Sequence, residues 1–185
     1  MTKSSNLIDS LEVYVLNNPK EVKPHWVSHF VVPTANELLI KIKNKYVNSG
    51  FGLATSYTDI KTIIKPFSNG LQNLIIGEDP FCPEKLYEKI FKLTDTRQSN
   101  EKRWSREALI RISAALDIAC WDLIGKASKV PLYKLFGGYR NKIPVYVTCA
   151  YYRDGKDEKE LRKELQKLIK IGHQSFKVKV GGLSI

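Results

Sequence analysis

The sequence predicts an α+β fold that passes, in its last third, into the start of an α/β repeat. Three observations predict it. Two alternating strands flank an Asn48-Ser49-Gly50 turn. A long helix opening at Ser105 carries apolar residues at three- and four-residue steps. A strand, a helix and a strand follow one another at the end. Of 185 residues, 43% are hydrophobic and 26% charged, the balance of an ordinary globular chain rather than a disordered one. No apolar run approaches the roughly 20 residues of a membrane-spanning helix. The polar first residues, with Asp9 among them, do not read as a secretory leader. A cytoplasmic chain without membrane association is expected.

Leu11, Val13 and Val15 alternate with Glu12 and Tyr14, as in a half-buried strand. Pro19, Pro24 and Pro33 make residues 17–33 an irregular loop. Leu38, Ile40 and Ile42 give a second strand, and residues 51–57 return as a third, forming an antiparallel meander. Thr58 and Asp59 then open a short helix with Ile60, Ile63 and Ile64, limited by Pro66. Residues 71–76 are apolar, and Gly77-Glu78-Asp79-Pro80 is a turn. Pro83 starts the next helix, whose stripe is Leu86, Ile90 and Leu93. Residues 94–103 are polar and predict an exposed loop.

The helix from Ser105 carries Leu109, Ile112, Leu116, Ala119, Leu123 and Ile124, with Ala108, Ala114 and Ala115 permitting close packing and Gly125 predicted to end it. Residues 131–136 form a further helical turn closed by Gly137-Gly138. Residues 143–150 are apolar on both phases, the pattern of a strand buried on both faces. Asp157 caps a helix with Glu160 in capping-box position and the stripe Leu161, Leu165, Leu168, Ile169 and Ile171; Gly172 ends it. Residues 174–180 are again a strand, so the last third is a β-α-β unit with parallel strands.

The net charge of +11 has two readings: a basic face for nucleic acid or anionic substrates, or a lysine-rich solvated surface. Acids interleave with the bases along the whole chain and there is no Arg-dense tail, which favours the second. Cys82, Cys120 and Cys149 lie far apart with no C-x-x-C pair, as reduced thiols do; Cys120 and Cys149 sit in apolar segments as small core residues. His25 and His29 are four apart, but Pro24 and the loop around them argue against a helical metal pair. Asp117 and Asp122 are five apart on a helix, hence on different faces, and read as structural. His173 follows a helix-ending glycine as a surface residue.

The chemistry concentrates in Phe176-Lys177-Val178-Lys179-Val180. Strand alternation puts Lys177 and Lys179 on one face, about 6.6 Å apart. Two lysines at this spacing most often mark the wet face of an antiparallel strand. In a covered parallel strand they instead share a poorly solvated space, where desolvation and like-charge repulsion favour losing a proton and one amine can act as a base.

Residues Ala114-Ala115-Leu116-Asp117-Ile118-Ala119-Cys120-Trp121-Asp122-Leu123-Ile124-Gly125-Lys126, followed by Pro131-Leu132-Tyr133-Lys134-Leu135-Phe136-Gly137-Gly138, resemble the signature of the mandelate racemase/muconate lactonizing enzyme family of the enolase superfamily. Ile75-Ile76-Gly77-Glu78-Asp79-Pro80 resembles the family's turn before a capping-domain helix, and residues 176–181 resemble its K-x-K strand. Ile112 and Cys120 depart from the usual residues, both at apolar helix positions.

The resemblance implies an α+β capping domain over residues 1–138, an antiparallel β-meander plus helices. The first βα units of a TIM-like (β/α)7β barrel follow over 139–185, truncated after the second barrel strand. It implies magnesium-dependent abstraction of the proton α to a carboxylate, leading to racemisation, dehydration or cycloisomerisation of an acid sugar or similar small molecule. It assigns the catalytic acid/base to Lys179 and a carboxylate-holding neighbour to Lys177. Residues 17–33 and 49–56 become a lid, with Trp26, His25 and His29 available to substrate, and Thr148 at the end of the first barrel strand. The metal ligands fall on later strands, beyond Ile185, so no metal ligand is expected in this chain. A homo-oligomer is implied for a full-length form. Two alternatives stand beside this reading: an inactive fragment serving as a dimerisation or docking module, and a basic nucleic-acid binder.

Overall fold

A computed structural model describes residues 6–16, 25–29, 31–32, 36–45, 49–56 and 59–182. The predicted turn residue Asn48, the helix-opening Thr58 and most of the 17–33 loop lie outside the described residues. The chain divides into two compact units, one of Met1–Asn18 with Ala35–Tyr139, the other of Pro19–Thr34 with Arg140–Ile185. Sequence reading draws one boundary, at 138/139; the observed division falls beside it and also groups residues 19–34 with the second unit.

The first unit is built on three antiparallel strands, β1 (Ile8–Leu16), β4 (Asn36–Asn44) and β5 (Gly50–Ser56), in the order β1-β4-β5. Between β1 and β4 the chain forms a short hairpin, β2 (His25–Trp26) and β3 (Val31–Val32), which belongs to the second unit. Leu38, Ile40 and Ile42 on β4 are wholly buried, so the period-two pattern reads out as one core face. On β5 the inner row is Gly50, Gly52, Ala54 and Ser56, while Phe51 and Leu53 face outward. Small residues stand inside because α4 (Arg106–Ser128) lies along this strand.

Helix α4 starts where Ser105 accepts the Ala108 N–H at 3.1 Å. It runs past Gly125, contrary to the sequence expectation, and ends at Lys129, whose φ of 55° forms a left-handed cap without glycine. Gly125 instead leaves room for Leu132, whose Cδ2 would lie 3.1 Å from an added β-carbon. Ala108 and Ala115 are buried as expected, whereas Ala114 is exposed.

Helix α1 (Ile60–Ser68) is capped by Asp59, and Pro66 lies inside it rather than ending it; Asn69 and left-handed Gly70 close the helix. The Gly77 turn is fastened to β1, with Gly77 N–H donating to the Ile8 carbonyl at 2.9 Å and Ile8 N–H to the Glu78 carbonyl at 2.8 Å. Helix α2 (Pro83–Phe91) begins with Pro83 and buries Leu86 and Ile90. The predicted loop at 94–103 contains a helix, α3 (Arg97–Glu101), because the Thr96 hydroxyl accepts the Ser99 N–H and Ser99 is buried. Helix α5 (Leu132–Leu135) precedes Gly137 and Gly138, both at positive φ.

In the second unit β2 and β3 pair antiparallel. Strands β6 (Val147–Thr148) and β7 (Phe176–Lys177) pair parallel, with Thr148 opposite Lys177, and α6 (Glu158–Lys170) runs between them in sequence. Asp157 caps α6 by accepting the Glu160 N–H at 2.9 Å, but the Glu160 carboxylate takes Lys163 rather than closing the box. The apolar run 143–150 is a strand for two residues only; Ile143 is 70% and Val145 69% exposed. A single parallel partner cannot cover both faces of a strand, so residues 143–146 are left exposed while Cys149 and Ala150, after the strand, are buried. Among those residues no helix is long and apolar enough to cross a membrane.

Candidate active site

The C-terminal ends of β6 and β7 carry the predicted chemistry. The chain leaves β6 through Ala150, which has a φ of 56° and whose N–H donates to Glu164 Oε1 at 3.2 Å. The other carboxylate oxygen of Glu164 pairs with Lys156. The Lys156 side chain, 8% exposed, also donates through its ammonium to the Tyr151 carbonyl at 3.0 Å. Burial pushes the Glu164 carboxyl up, but Lys156 and the Ala150 N–H outweigh it and leave the group below its ordinary value. A carboxylate on α6 thus clamps the loop that follows β6.

That loop presents two tyrosines. Tyr151 meets the His25 ring edge-on, with centroids 4.9 Å apart and planes at 79°, and the Lys179 Nζ lies 4.9 Å from its ring centroid. Tyr152 exchanges backbone hydrogen bonds with Trp26, Trp26 N–H to Tyr152 carbonyl at 2.9 Å and the reverse at 3.1 Å. The Tyr152 hydroxyl accepts the Gly182 N–H at 3.0 Å, and a β-carbon on Gly182 would stand 2.5 Å from the Tyr152 ring. The loop after β6 therefore ties the hairpin of β2 and β3 to the residues that follow β7.

Lys179 is half-buried at Tyr151, whereas Lys177 and Thr148 are exposed neighbours on paired strands. Trp26 is half-buried and His29 exposed; both line a shallow hollow of about 410 Å³ with Val27, Ser28 and Val31, all on the hairpin. Lys179 and His25 are brought together through Tyr151, while no such contact links His29 to Lys179 among the described residues. Sequence reasoning missed Tyr151, Tyr152, Lys156 and Glu164. Glu164 had a signal: it falls with Leu161, Leu165 and Leu168 on the apolar stripe of α6, where a carboxylate needs a partner. Among the described residues no group of three or more His, Cys, Asp or Glu side chains could hold a metal ion.

The chain is 34% identical over 152 residues to an arabinonate dehydratase of Saccharolobus solfataricus, covering 79% of this chain and 37% of that protein. It is 30% identical over 164 residues to an L-Ala-D/L-Glu epimerase of Clostridium acetobutylicum, covering 86% and 41%. The crystal structure of a mandelate racemase/muconate lactonizing enzyme from a marine actinobacterium, in complex with magnesium, matches with a TM-score of 0.68 and 26% identity over 96% of this chain and 45% of that one. The chain spans about two-fifths of the length of the curated relatives it matches. Residues 10–137 match the N-terminal domain of the mandelate racemase / muconate lactonizing enzyme family, and the chain belongs to that family.

Proposed function

We propose that this chain contributes the capping portion and the first acid/base of an enolase-superfamily enzyme that removes the proton α to a carboxylate. Residues 1–138 form the capping domain in this reading, and 139–185 open the barrel. The observation that carries it is the placement of Lys179 after a parallel strand, half-buried against a loop that a half-buried ion pair holds in place.

Lys179 takes the proton from carbon, and Lys177 holds the substrate carboxylate, where negative charge builds up. Thr148, opposite Lys177, offers a hydroxyl to the same carboxylate. Trp26 and His29 line the hollow that faces substrate. Magnesium belongs to this reading, supported by the magnesium in the marine actinobacterial relative. The carboxylates to hold it are not gathered among the described residues, so no step here is routed through it.

An acid sugar is the favoured substrate and dehydration the favoured outcome, supported by the likeness to the arabinonate dehydratase. Epimerisation is the second reading, supported by the likeness to the L-Ala-D/L-Glu epimerase. The alternative reading is an inactive fragment serving as a dimerisation or docking module, supported by exposed Ile143 and Val145. A cytoplasmic location fits the three free thiols; a homo-oligomer belongs to this reading for a full-length form, on the family resemblance alone.

The test is α-proton exchange in deuterium oxide by an enzyme form containing this chain and the remaining barrel strands, with arabinonate and an Ala-Glu dipeptide as substrates. Lys179→Ala abolishes exchange if the reading holds; exchange that persists in Lys179→Ala overturns the role of Lys179.

A further inference from the structure

We infer that Tyr151 is a positioning residue that receives the charged form of Lys179, a step that rests on the acid/base role proposed for that lysine. The Nζ of Lys179 lies 4.9 Å from the Tyr151 ring centroid, within the range in which the negative face of an aromatic ring attracts an ammonium. The attraction is for the cation. A neutral amine lacks the charge that the ring quadrupole binds, so it turns away freely. Once Lys179 takes a proton from carbon, its ammonium has a docking face one loop away; once it gives the proton up, the tether loosens.

The ring is held for this task. His25 meets it edge-on at a centroid distance of 4.9 Å, which fixes its plane from the hairpin side. The Tyr151 carbonyl is held by Lys156 at 3.0 Å, and the adjoining Ala150 N–H by Glu164 at 3.2 Å, so its backbone is anchored on both flanks. The Tyr151 hydroxyl takes no part in the argument; the aromatic face does, which separates phenylalanine from an aliphatic replacement.

The experiment is an assigned proton–carbon NMR spectrum of the full 185-residue chain. An ammonium over a ring places the adjoining ε-methylene in the ring current. The Lys179 ε-methylene is therefore displaced upfield of that of exposed Lys177, the displacement is lost in Tyr151→Leu, and it is retained in Tyr151→Phe. A wild-type spectrum in which Lys179 and Lys177 coincide overturns the inference, and so does a displacement that survives in Tyr151→Leu. If Tyr151→Leu does not fold, the wild-type and Tyr151→Phe spectra still decide: displacement in both supports the inference, and its absence from either overturns it. Loss of the NMR signature counts against Tyr151 whatever the α-proton exchange shows. A failure of exchange with the signature intact counts against the proposed function and leaves Tyr151 as the dock for Lys179.

Discussion

The backbone of Gly52 lies so close to Ala115 that a β-carbon on Gly52 would stand 1.8 Å from the Ala115 carbonyl oxygen. Two residues away Gly50 meets the Ala119 carbonyl in the same manner, at 2.1 Å. Strand β5 and helix α4 therefore touch backbone to backbone. Gly52→Ala separates them and lowers stability by about 3 kcal/mol or more. Because the obstacle is a carbonyl, trimming Ala115 to glycine gives no rescue. Gly125→Ala meets only the movable end of Leu132 and gains helix propensity, so it changes stability by less than about 1 kcal/mol. Urea unfolding of the three variants checks the order.

The same contact shows where sequence reasoning reaches and where it stops. Leu38, Ile40 and Ile42 announce their face by alternation, and all three are wholly buried. In β5 alternation puts Phe51 and Leu53 on one face, and hydrophobicity suggests that face is the core. The helix takes the other, glycine-rich face, a choice made by a partner some 60 residues away in the chain and invisible locally. Pro66 reads as a helix stop from its missing N–H, yet the helix continues through it with Pro66 and Phe67 buried. At the candidate site Lys177 and Lys179 read from sequence as a pair on one strand, but β7 ends at Lys177 and Lys179 lies beyond it, half-buried where Lys177 is exposed. Tyr151 was not legible, because its contacts come from His25 and Lys179, which are far from it and from each other in the sequence.

Glu164 predicts a pH dependence. Its carboxyl lies below its ordinary value of 4.5, burial opposing and Lys156 and the Ala150 N–H prevailing. A carboxyl with a lowered folded value stabilises fully above the ordinary value, and the stabilisation disappears as pH falls through the folded value. Glu164→Gln lacks it at every pH and also strands the buried Lys156 ammonium, costing about 2 kcal/mol near neutral pH. The gap between variant and wild type narrows as pH falls through the folded value, which lies below 4.5. Amide hydrogen exchange at Ala150, compared between the two proteins at each pH, reads it directly.

The three thiols differ in reach. Cys82 is exposed, while Cys120 and Cys149 are buried. Burial, with Asp117 and Asp79 adding negative charge nearby, pushes the Cys120 thiol up to about 12. Burial also raises Cys149, with Glu164 adding to it and Lys156 opposing. With a disulfide reagent at about pH 8, one thiol reacts quickly and the other two wait for unfolding. Cys82→Ser removes the fast reaction. A second fast thiol in the native protein contradicts the placement of Cys120 and Cys149.

Gly182 and Tyr152 are predicted to be coupled. A β-carbon at position 182 falls 2.5 Å from the Tyr152 ring, and the same ring's hydroxyl accepts the Gly182 N–H. Unlike the carbonyl facing Gly52, a ring edge can turn aside. Gly182→Ala therefore displaces Tyr152 at the loss of one hydrogen bond, about 1 kcal/mol, rather than tearing the fold. Tyr152→Phe removes the same hydrogen bond while leaving the ring in place, and costs a similar amount. Tyr152→Ala removes the obstacle altogether. In that background Gly182→Ala finds open space and adds almost nothing. The cycle of Gly182→Ala and Tyr152→Ala is accordingly non-additive by about 1 kcal/mol. Amide exchange at residue 182 measures all four corners, and additive corners contradict the contact. Because Tyr152 also holds Trp26 through its backbone, protection at the Trp26 amide falls in the variants where the ring is displaced and stays in Tyr152→Phe.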